Sequence, residues 1–119
     1  MRSILKAMVV LSLVSASAFA ADYKCSGDRV EKGGSTQFTV RTSGSDITIE
    51  KGGSTRGKAV KRGSKYAVEV GGSTVATFEN GKIEKGGSSW ATVSEAQSMF
   101  ECPGDVAATL WVLTKNGNL

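Results

Sequence analysis

Histidine is absent from this sequence of 119 residues, and its absence removes several kinds of catalytic site. Ser-His-Asp and Cys-His sites need an imidazole as the general base, and many metal sites need it as a ligand. Long apolar runs are absent as well, because the stretch from Ala7 to Val14 is too short to span a membrane as a helix. The sequence therefore predicts neither a histidine-based enzyme nor a protein that crosses a membrane.

The N-terminus has the pattern of a secretory signal peptide. Arg2 and Lys6 supply positive charge, the apolar stretch follows, and Ala18-Phe19-Ala20 supplies the small residues that signal peptidase recognises. We expect residues 1–20 to be removed and residues 21–119 to form a single domain in the periplasm or outside the cell. Without Arg2 and Lys6, 13 basic residues face 11 acidic ones, so the charge predicts no nucleic-acid binding.

The only two cysteines are Cys25 and Cys102, near the two ends of the predicted domain. An isolated pair in an oxidising compartment usually forms a disulfide, and a small domain gains stability from one. Their spacing differs from the Cys-x-x-Cys pattern of redox-active pairs. We therefore predict a structural disulfide between Cys25 and Cys102.

Four copies of one short motif dominate the chain between the cysteines. Each copy has a branched apolar residue, an acid and a third residue, followed by Gly-Gly-Ser and a hydroxyl residue. The copies are Val30–Thr36, Ile49–Thr55, Val68–Thr74 and Ile83–Ser89. A strand that enters a glycine turn has this pattern, so the four copies predict β-hairpins.

The alternation of apolar residues around each turn predicts how the strands pair. A three-residue Gly-Gly-Ser loop places Val30 opposite Phe38, and the other copies give equivalent apolar pairs. A two-residue loop would instead turn one apolar set outward. The same register places Glu50 opposite Arg56 on the outer face.

The segments between the copies predict further two-residue turns. Asn80-Gly81 is a strong hairpin signal and pairs Phe78 with Ile83. The other two expected turns are Ser43-Gly44, which pairs Val40 with Ile47, and Arg62-Gly63, which pairs Ala59 with Tyr66. The sequence thus predicts a mainly β fold of the α+β type. Its main element is an eight-strand antiparallel meander over about residues 23–93, as a barrel or a rolled sheet.

One or two helices are expected in the C-terminal segment, at about residues 94–116. Ser94 with Gln97 fits a capping box, and the helix should end near Glu101 because Pro103 follows. Apolar residues at helical spacing over residues 106–113 predict a second helix, with Gly117 at its exit. A ninth strand through residues 109–113 is the alternative. Ala107 and Ala108 favour the helix.

The helical segment has an expected position on the sheet. Several inward positions of the strands carry small residues, namely Gly57, Ala59, Ala76 and Ala91. They leave space that Leu110, Trp111 and Leu113 would fill, burying apolar area at about 25 cal/mol per Å². We therefore expect Trp111 to be a core residue and the helices to pack on the inner face.

No motif for catalysis, cofactor binding or metal binding is found. The repeat acids Glu31, Glu50, Glu69 and Glu84 are expected on the solvent face, and paired glycosidase carboxylates are not predicted. The Gly-Gly-Ser turns lack the Gly-Lys-Ser/Thr and the following helix of a phosphate-binding loop. We expect a protein that is not an enzyme and needs no cofactor.

Two surface features are candidates for partner binding. The first is a basic cluster around Ser64, made of Arg56, Lys58, Lys61, Arg62 and Lys65. It could meet an anionic envelope polymer such as lipopolysaccharide or teichoic acid, although such a cluster also serves to prevent aggregation of a sheet. The second is Trp90, which the register turns outward opposite Glu84, unless a helix or the N-terminal segment covers it.

Two resemblances accompany these patterns. The segment Asn80–Ser88 resembles the tandem β-hairpin repeats of small exported bacterial proteins of unassigned function, which implies no ligand. Tyr23-Lys24-Cys25, Cys102 and the turn Arg62–Tyr66 resemble the periplasmic inhibitors of C-type lysozyme. Those proteins are small β-barrels that insert a Ser-Gly-x-x-Tyr loop into the lysozyme cleft, so the resemblance implies contacts through Ser64 and Tyr66.

The sequence as a whole predicts an exported, non-enzymatic β protein that acts by surface binding in the periplasm or envelope. Its partner would be an unidentified protein or an anionic envelope polymer. Inhibition of C-type lysozyme is the first alternative, and a structural role in the envelope is the second.

Overall fold

The structure, a computed structural model, describes residues 21–119; the predicted signal peptide lies outside the described residues. Ten strands form one sheet in the order β10-β1-β2-β3-β4-β5-β6-β7-β8-β9. They are β1 Tyr23–Ser26, β2 Arg29–Lys32, β3 Ser35–Ser43, β4 Asp46–Lys51, β5 Ser54–Arg62, β6 Lys65–Val70, β7 Ser73–Glu79, β8 Lys82–Lys85, β9 Ser88–Thr92 and β10 Phe100–Glu101. Two helices follow β9, α1 Val93–Met99 and α2 Gly104–Lys115, with β10 between them.

The mainly β fold and the antiparallel meander are confirmed, but the predicted count of eight strands is wrong. Gly27 has a φ of 63° and forms an additional turn with Asp28, which divides the first predicted strand into β1 and β2. In addition, β10 returns beside β1 and pairs with it in parallel. The sheet is open, because β9 and β10 are its two edges and do not pair with each other.

The four repeat turns are two-residue Gly-Gly loops, so the predicted three-residue loop is wrong. In the first copy Lys32 pairs with Ser35, and both Gly33 and Gly34 have left-handed φ values of 61° and 84°. The predicted pairing of Val30 with Phe38 is nevertheless confirmed, because a β-bulge inserts Gln37 as an extra residue. The bulge thus keeps the apolar side chains of both strands on the inner face of the sheet, whereas a two-residue loop alone would turn one set outward.

The same bulge follows every repeat turn. Its extra residues are Gln37, Arg56, Val75 and Trp90. The predicted pairing of Glu50 with Arg56 is therefore wrong, since Glu50 lies opposite Thr55. Val75 and Trp90 interrupt the apolar alternation of the sequence because each is the unpaired residue of a bulge.

The turns between the copies agree with prediction in one case out of three. The pairing of Phe78 with Ile83 across Asn80-Gly81 is confirmed. The other two turns are Gly44-Ser45 and Gly63-Ser64, each one residue later than predicted, with glycine first as in type II′ turns. Val40 consequently pairs with Ile49 instead of Ile47, and Ala59 with Val68 instead of Tyr66. This slip of two residues leaves the same side chains facing inward.

Successive turns of a meander lie at alternate ends of the sheet, so the four Gly-Gly turns share one end. We call this the repeat end. The turns at the opposite end are Gly27-Asp28, Gly44-Ser45, Gly63-Ser64 and Asn80-Gly81. The repetition in the sequence therefore becomes a row of equivalent turns along one end of the sheet.

The helical segment follows the prediction with shifted boundaries. The capping box of α1 is formed by Thr92 and Glu95, two residues before the predicted Ser94 and Gln97. The helix ends at Met99 because Phe100 is extended and pairs with β1. The helix predicted over residues 106–113 is confirmed as part of α2, so the alternative strand is wrong, and Gly117 has the expected left-handed φ of 87°. No helix within residues 21–119 is long and apolar enough to cross a membrane.

Helix α2 is the centre of the hydrophobic core. Every residue from Val106 to Leu113 is buried, because the helix contacts β4, β5 and β6 as well as α1. The predicted close approach is confirmed at Gly57, where an added Cβ would lie 2.5 Å from Leu113 Cδ2. Trp111 is a core residue, as expected, with 8% of its surface exposed.

The predicted disulfide is confirmed. Cys25 and Cys102 are bonded, with their Cα atoms 5.0 Å apart and a sequence separation of 77. Cys25 lies on β1 and Cys102 lies between β10 and α2. The bond therefore fastens the first strand of the sheet to the segment that leads into the central helix.

Candidate binding surface at the repeat end

The structure separates the basic cluster that the sequence places together. Strand β5 runs from the repeat end to the opposite end, so its basic residues are spread along it. Arg56 lies near the repeat end, and Lys58 lies at the middle of the strand. Lys61, Arg62, Ser64 and Lys65 lie at or beside the turn at the opposite end. These residues are therefore spread from one end of the sheet to the other instead of gathering at one turn.

The part of the cluster at the opposite end is engaged by neighbouring side chains. Arg62 Nη2 lies 2.8 Å from Glu69 Oε2, an ion pair that offsets its charge. Lys61 Nζ lies 5.4 Å from the centroid of the Tyr66 ring. The Ser64 hydroxyl donates a hydrogen bond to Glu79. The charge that this turn presents is therefore lower than the sequence suggests.

Trp90 does not point away from the core as predicted. The bulge places Ser89 opposite Glu84, and Trp90 packs edge-on against Trp111 with ring centroids 4.9 Å apart. Trp90 is half-buried, so part of the ring still reaches the surface at the repeat end. Lys85 Nζ lies 4.7 Å from its centroid.

Lys85 belongs to a group that sequence reasoning missed. Each member of this group is a lysine whose ammonium lies 4.7–5.7 Å from the centroid of an aromatic ring. The ring belongs to the core or packs against it. The group comprises Lys32 over Tyr23, Lys51 over Phe38, Lys85 over Trp90 and Lys115 over Trp111. We call these four residues the lysine row. All four are exposed, and each ring orients its ammonium without cancelling the charge.

The repeat acids do not neutralise the lysine row. Three of them are held by arginines: Glu31 by Arg29 at 3.8 Å, Glu50 by Arg41 at 3.2 Å and Glu69 by Arg62 at 2.8 Å. These are all the ion pairs within residues 21–119, and none includes a lysine. The acids are also half-buried, with 27%, 21% and 11% of their side-chain surface exposed, so they are less solvated than expected.

The sequence does contain a signal for the lysine row. Lys32, Lys51 and Lys85 occupy the third position of the first, second and fourth copies of the motif, and Val70 occupies it in the third copy. Because the four turns share one end, three residues that are far apart in sequence come to one surface. A search for contiguous basic residues cannot detect such a surface.

The chemistry available at this surface is binding of anions. Within residues 21–119 no group of three or more His, Cys, Asp or Glu side chains could hold a metal ion. The repeat end instead presents exposed ammonium groups beside the exposed hydroxyls of Ser35, Ser54 and Ser88. No protein-family model, curated protein or solved structure matches this chain.

Proposed function

We propose that the chain is an exported, non-enzymatic binding protein that holds a phosphate-bearing anionic polymer of the cell envelope at the lysine row. One observation carries this proposal: three of the four repeat acids are ion-paired with arginines, while the four residues of the lysine row have no carboxylate partner within residues 21–119. A local excess of positive charge attracts polyanions even when the net charge of the domain is small.

Export is part of the proposal. The pattern of residues 1–20 is that of a signal peptide, and the Cys25–Cys102 disulfide is compatible with an oxidising compartment. The polymers found there, teichoic acids and lipopolysaccharides, carry phosphate groups. Ammonium groups on flexible stems bind such groups as point charges.

The first test is to remove charge from the lysine row. We expect Lys32→Gln/Lys51→Gln/Lys85→Gln to weaken binding of inorganic polyphosphate about 100-fold, because each lysine contributes roughly 1 kcal/mol near an anionic surface. The measurement is isothermal titration calorimetry at low and at physiological salt. Binding by the wild-type protein should weaken as salt is raised.

The matched control removes three lysines at the opposite end, Lys61→Gln/Lys65→Gln/Lys82→Gln. Its net charge equals that of the first variant, so it should retain most of the affinity. Equal loss of affinity in both variants would contradict the proposal, because it would show that only net charge matters. Failure of the wild-type protein to bind polyphosphate at micromolar concentration would also contradict it.

Inhibition of C-type lysozyme is a second candidate, favoured by a groove at the opposite end. The groove has a volume of about 230 Å³, and its lining includes Ser64, Tyr66, Glu79 and Asp105. Two carboxylates in this lining complement a basic enzyme. Arg62 beside the turn is paired with Glu69, which lowers the repulsion that its charge would cause.

Lysozyme activity distinguishes this candidate. If the turn inhibits the enzyme, Ser64→Ala should raise the inhibitory concentration by up to about tenfold, because it removes the turn hydroxyl that the resemblance implies to contact the enzyme. The triple variant of the lysine row serves as the control and should inhibit as well as the wild type. No inhibition of C-type lysozyme by the wild-type protein at micromolar concentration would exclude this function.

A further inference from the structure

Two surface clefts at the repeat end are equivalent copies of each other. The first, of about 190 Å³, lies between the bulge at Arg56 and the turn Gly71-Gly72. The second, of about 250 Å³, lies between the bulge at Val75 and the turn Gly86-Gly87. Each has a repeat glutamate and a repeat threonine in its lining, at the same positions of the motif. The repeat therefore produces two clefts of the same construction, one between the second and third copies and one between the third and fourth.

The lysine row has the same periodicity. Lys32, Lys51 and Lys85 end strands β2, β4 and β8. Neighbouring strands lie about 4.8 Å apart, so one copy of the motif follows another at about 10 Å, and the path along the curved sheet from Lys32 to Lys85 is about 30 Å long. The third copy interrupts the row at Val70. The exposed Arg56 lines the same cleft as Val70 and supplies a positive charge near this position.

We infer that the polymer bound at the lysine row is a linear chain of regularly spaced phosphates that crosses the strands and contacts successive copies of the motif. This inference rests on the proposed function. A small phosphate ion reaches the lysine of one copy, whereas an extended chain reaches the lysines of several copies at once. Each further contact is then intramolecular, and the affinity rises steeply with chain length.

A length series of linear polyphosphates tests the inference on the wild-type protein. The ligands are inorganic phosphate, tripolyphosphate and a set of longer chains whose lengths range from less than about 30 Å to more than about 30 Å. All are used at the same total concentration of phosphate groups. The affinity per chain should rise about 100-fold or more between tripolyphosphate and a chain that spans about 30 Å, and then level off. Affinity that depends only on total phosphate, or that keeps rising far beyond this span, would overturn the inference.

The interruption at Val70 provides a matched pair of variants. Val70→Lys completes the row, and the half-buried site tolerates a lysine because its aliphatic stem can cover the core while the ammonium reaches water. It should bind long polyphosphate about fivefold more tightly and tripolyphosphate no more than twofold more tightly. Ser45→Lys adds the same charge at the opposite end and should change the affinity for neither long polyphosphate nor tripolyphosphate. Equal effects of the two variants on long polyphosphate would overturn the inference.

Two natural polymers separate the sources of the phosphate groups. Lipid-free teichoic acid is a linear phosphodiester chain, whereas lipopolysaccharide carries its phosphates close together near a lipid. We expect tight binding of teichoic acid and weaker binding of lipopolysaccharide at equal phosphate. Preference for lipopolysaccharide would overturn the linear geometry but leave the proposed function intact. Absence of binding to either polymer and to polyphosphate would remove the proposed function as well.

Discussion

Replacing Cys102 by serine is expected to lower the free energy of unfolding by about 4–5 kcal/mol, because the disulfide closes a loop with a sequence separation of 77 residues. A loop of this length loses much conformational freedom in the unfolded chain when its ends are joined. For a domain of this size the melting temperature should fall by about 20 °C. Thermal and urea unfolding of the Cys102→Ser variant measure the effect.

The native structure adds a second reason for a large effect. Strand β10 pairs with β1 over only two residues, Phe100 and Glu101, so few backbone hydrogen bonds hold these segments together once the disulfide is removed. The control is Cys25→Ser/Cys102→Ser, which leaves no free thiol and should be about as unstable as the single variant. A wild-type melting temperature that does not change with reductant, once reduction has been checked by mass, would contradict this prediction.

Truncation of Leu113 to alanine is expected to cost about 2–5 kcal/mol of stability. The side chain is fully buried on α2, and its Cδ2 atom lies against Gly57 of strand β5. Removing the isobutyl group loses apolar burial and leaves a cavity at the contact between helix and sheet. Urea unfolding with a fixed m-value gives the change in free energy.

The partner variant tests whether this contact is as close as the structure indicates. Gly57→Ala adds a Cβ only 2.5 Å from Leu113 Cδ2 and 3.1 Å from the Glu69 carbonyl oxygen, and should cost about 1–3 kcal/mol. In Gly57→Ala/Leu113→Ala the added methyl group enters space that the truncation vacates. The double variant should therefore be at least 1 kcal/mol more stable than the sum of the two single effects predicts. Additive effects would show that the two residues do not touch.

The register of the sheet could be predicted because apolar alternation constrains it. A register shifted by one residue would expose Val30, Ile49 and their equivalents. The apolar alternation therefore leaves only registers that differ by two residues. The predicted turns at Ser43-Gly44 and Arg62-Gly63 are wrong by such a slip. The turn residues select the observed register over the predicted one, since glycine as the first central residue suits a type II′ turn.

The candidate surface was harder to predict for two reasons. The alternation of side chains assigns each residue to one face of the sheet, but a bulge breaks this alternation. Trp90 was assigned to the wrong face because it is the extra residue of a bulge. Adjacency in sequence is also a poor guide to charge clusters on a meander. Residues 56–65 lie along one strand and its turn, and so they reach both ends of the sheet.

Local patterns of apolar, glycine and cysteine residues were enough to predict the mainly β class, the inward-facing residues outside the bulges, the disulfide and the second helix. The open sheet, the packing of Trp90 on Trp111 and the lysine row emerge only from how the strands and helices assemble. These features depend on which turns share an end of the sheet and which side chains meet across strands. Lys32, Lys51 and Lys85 lie on one surface because the meander returns to the same end at every second strand.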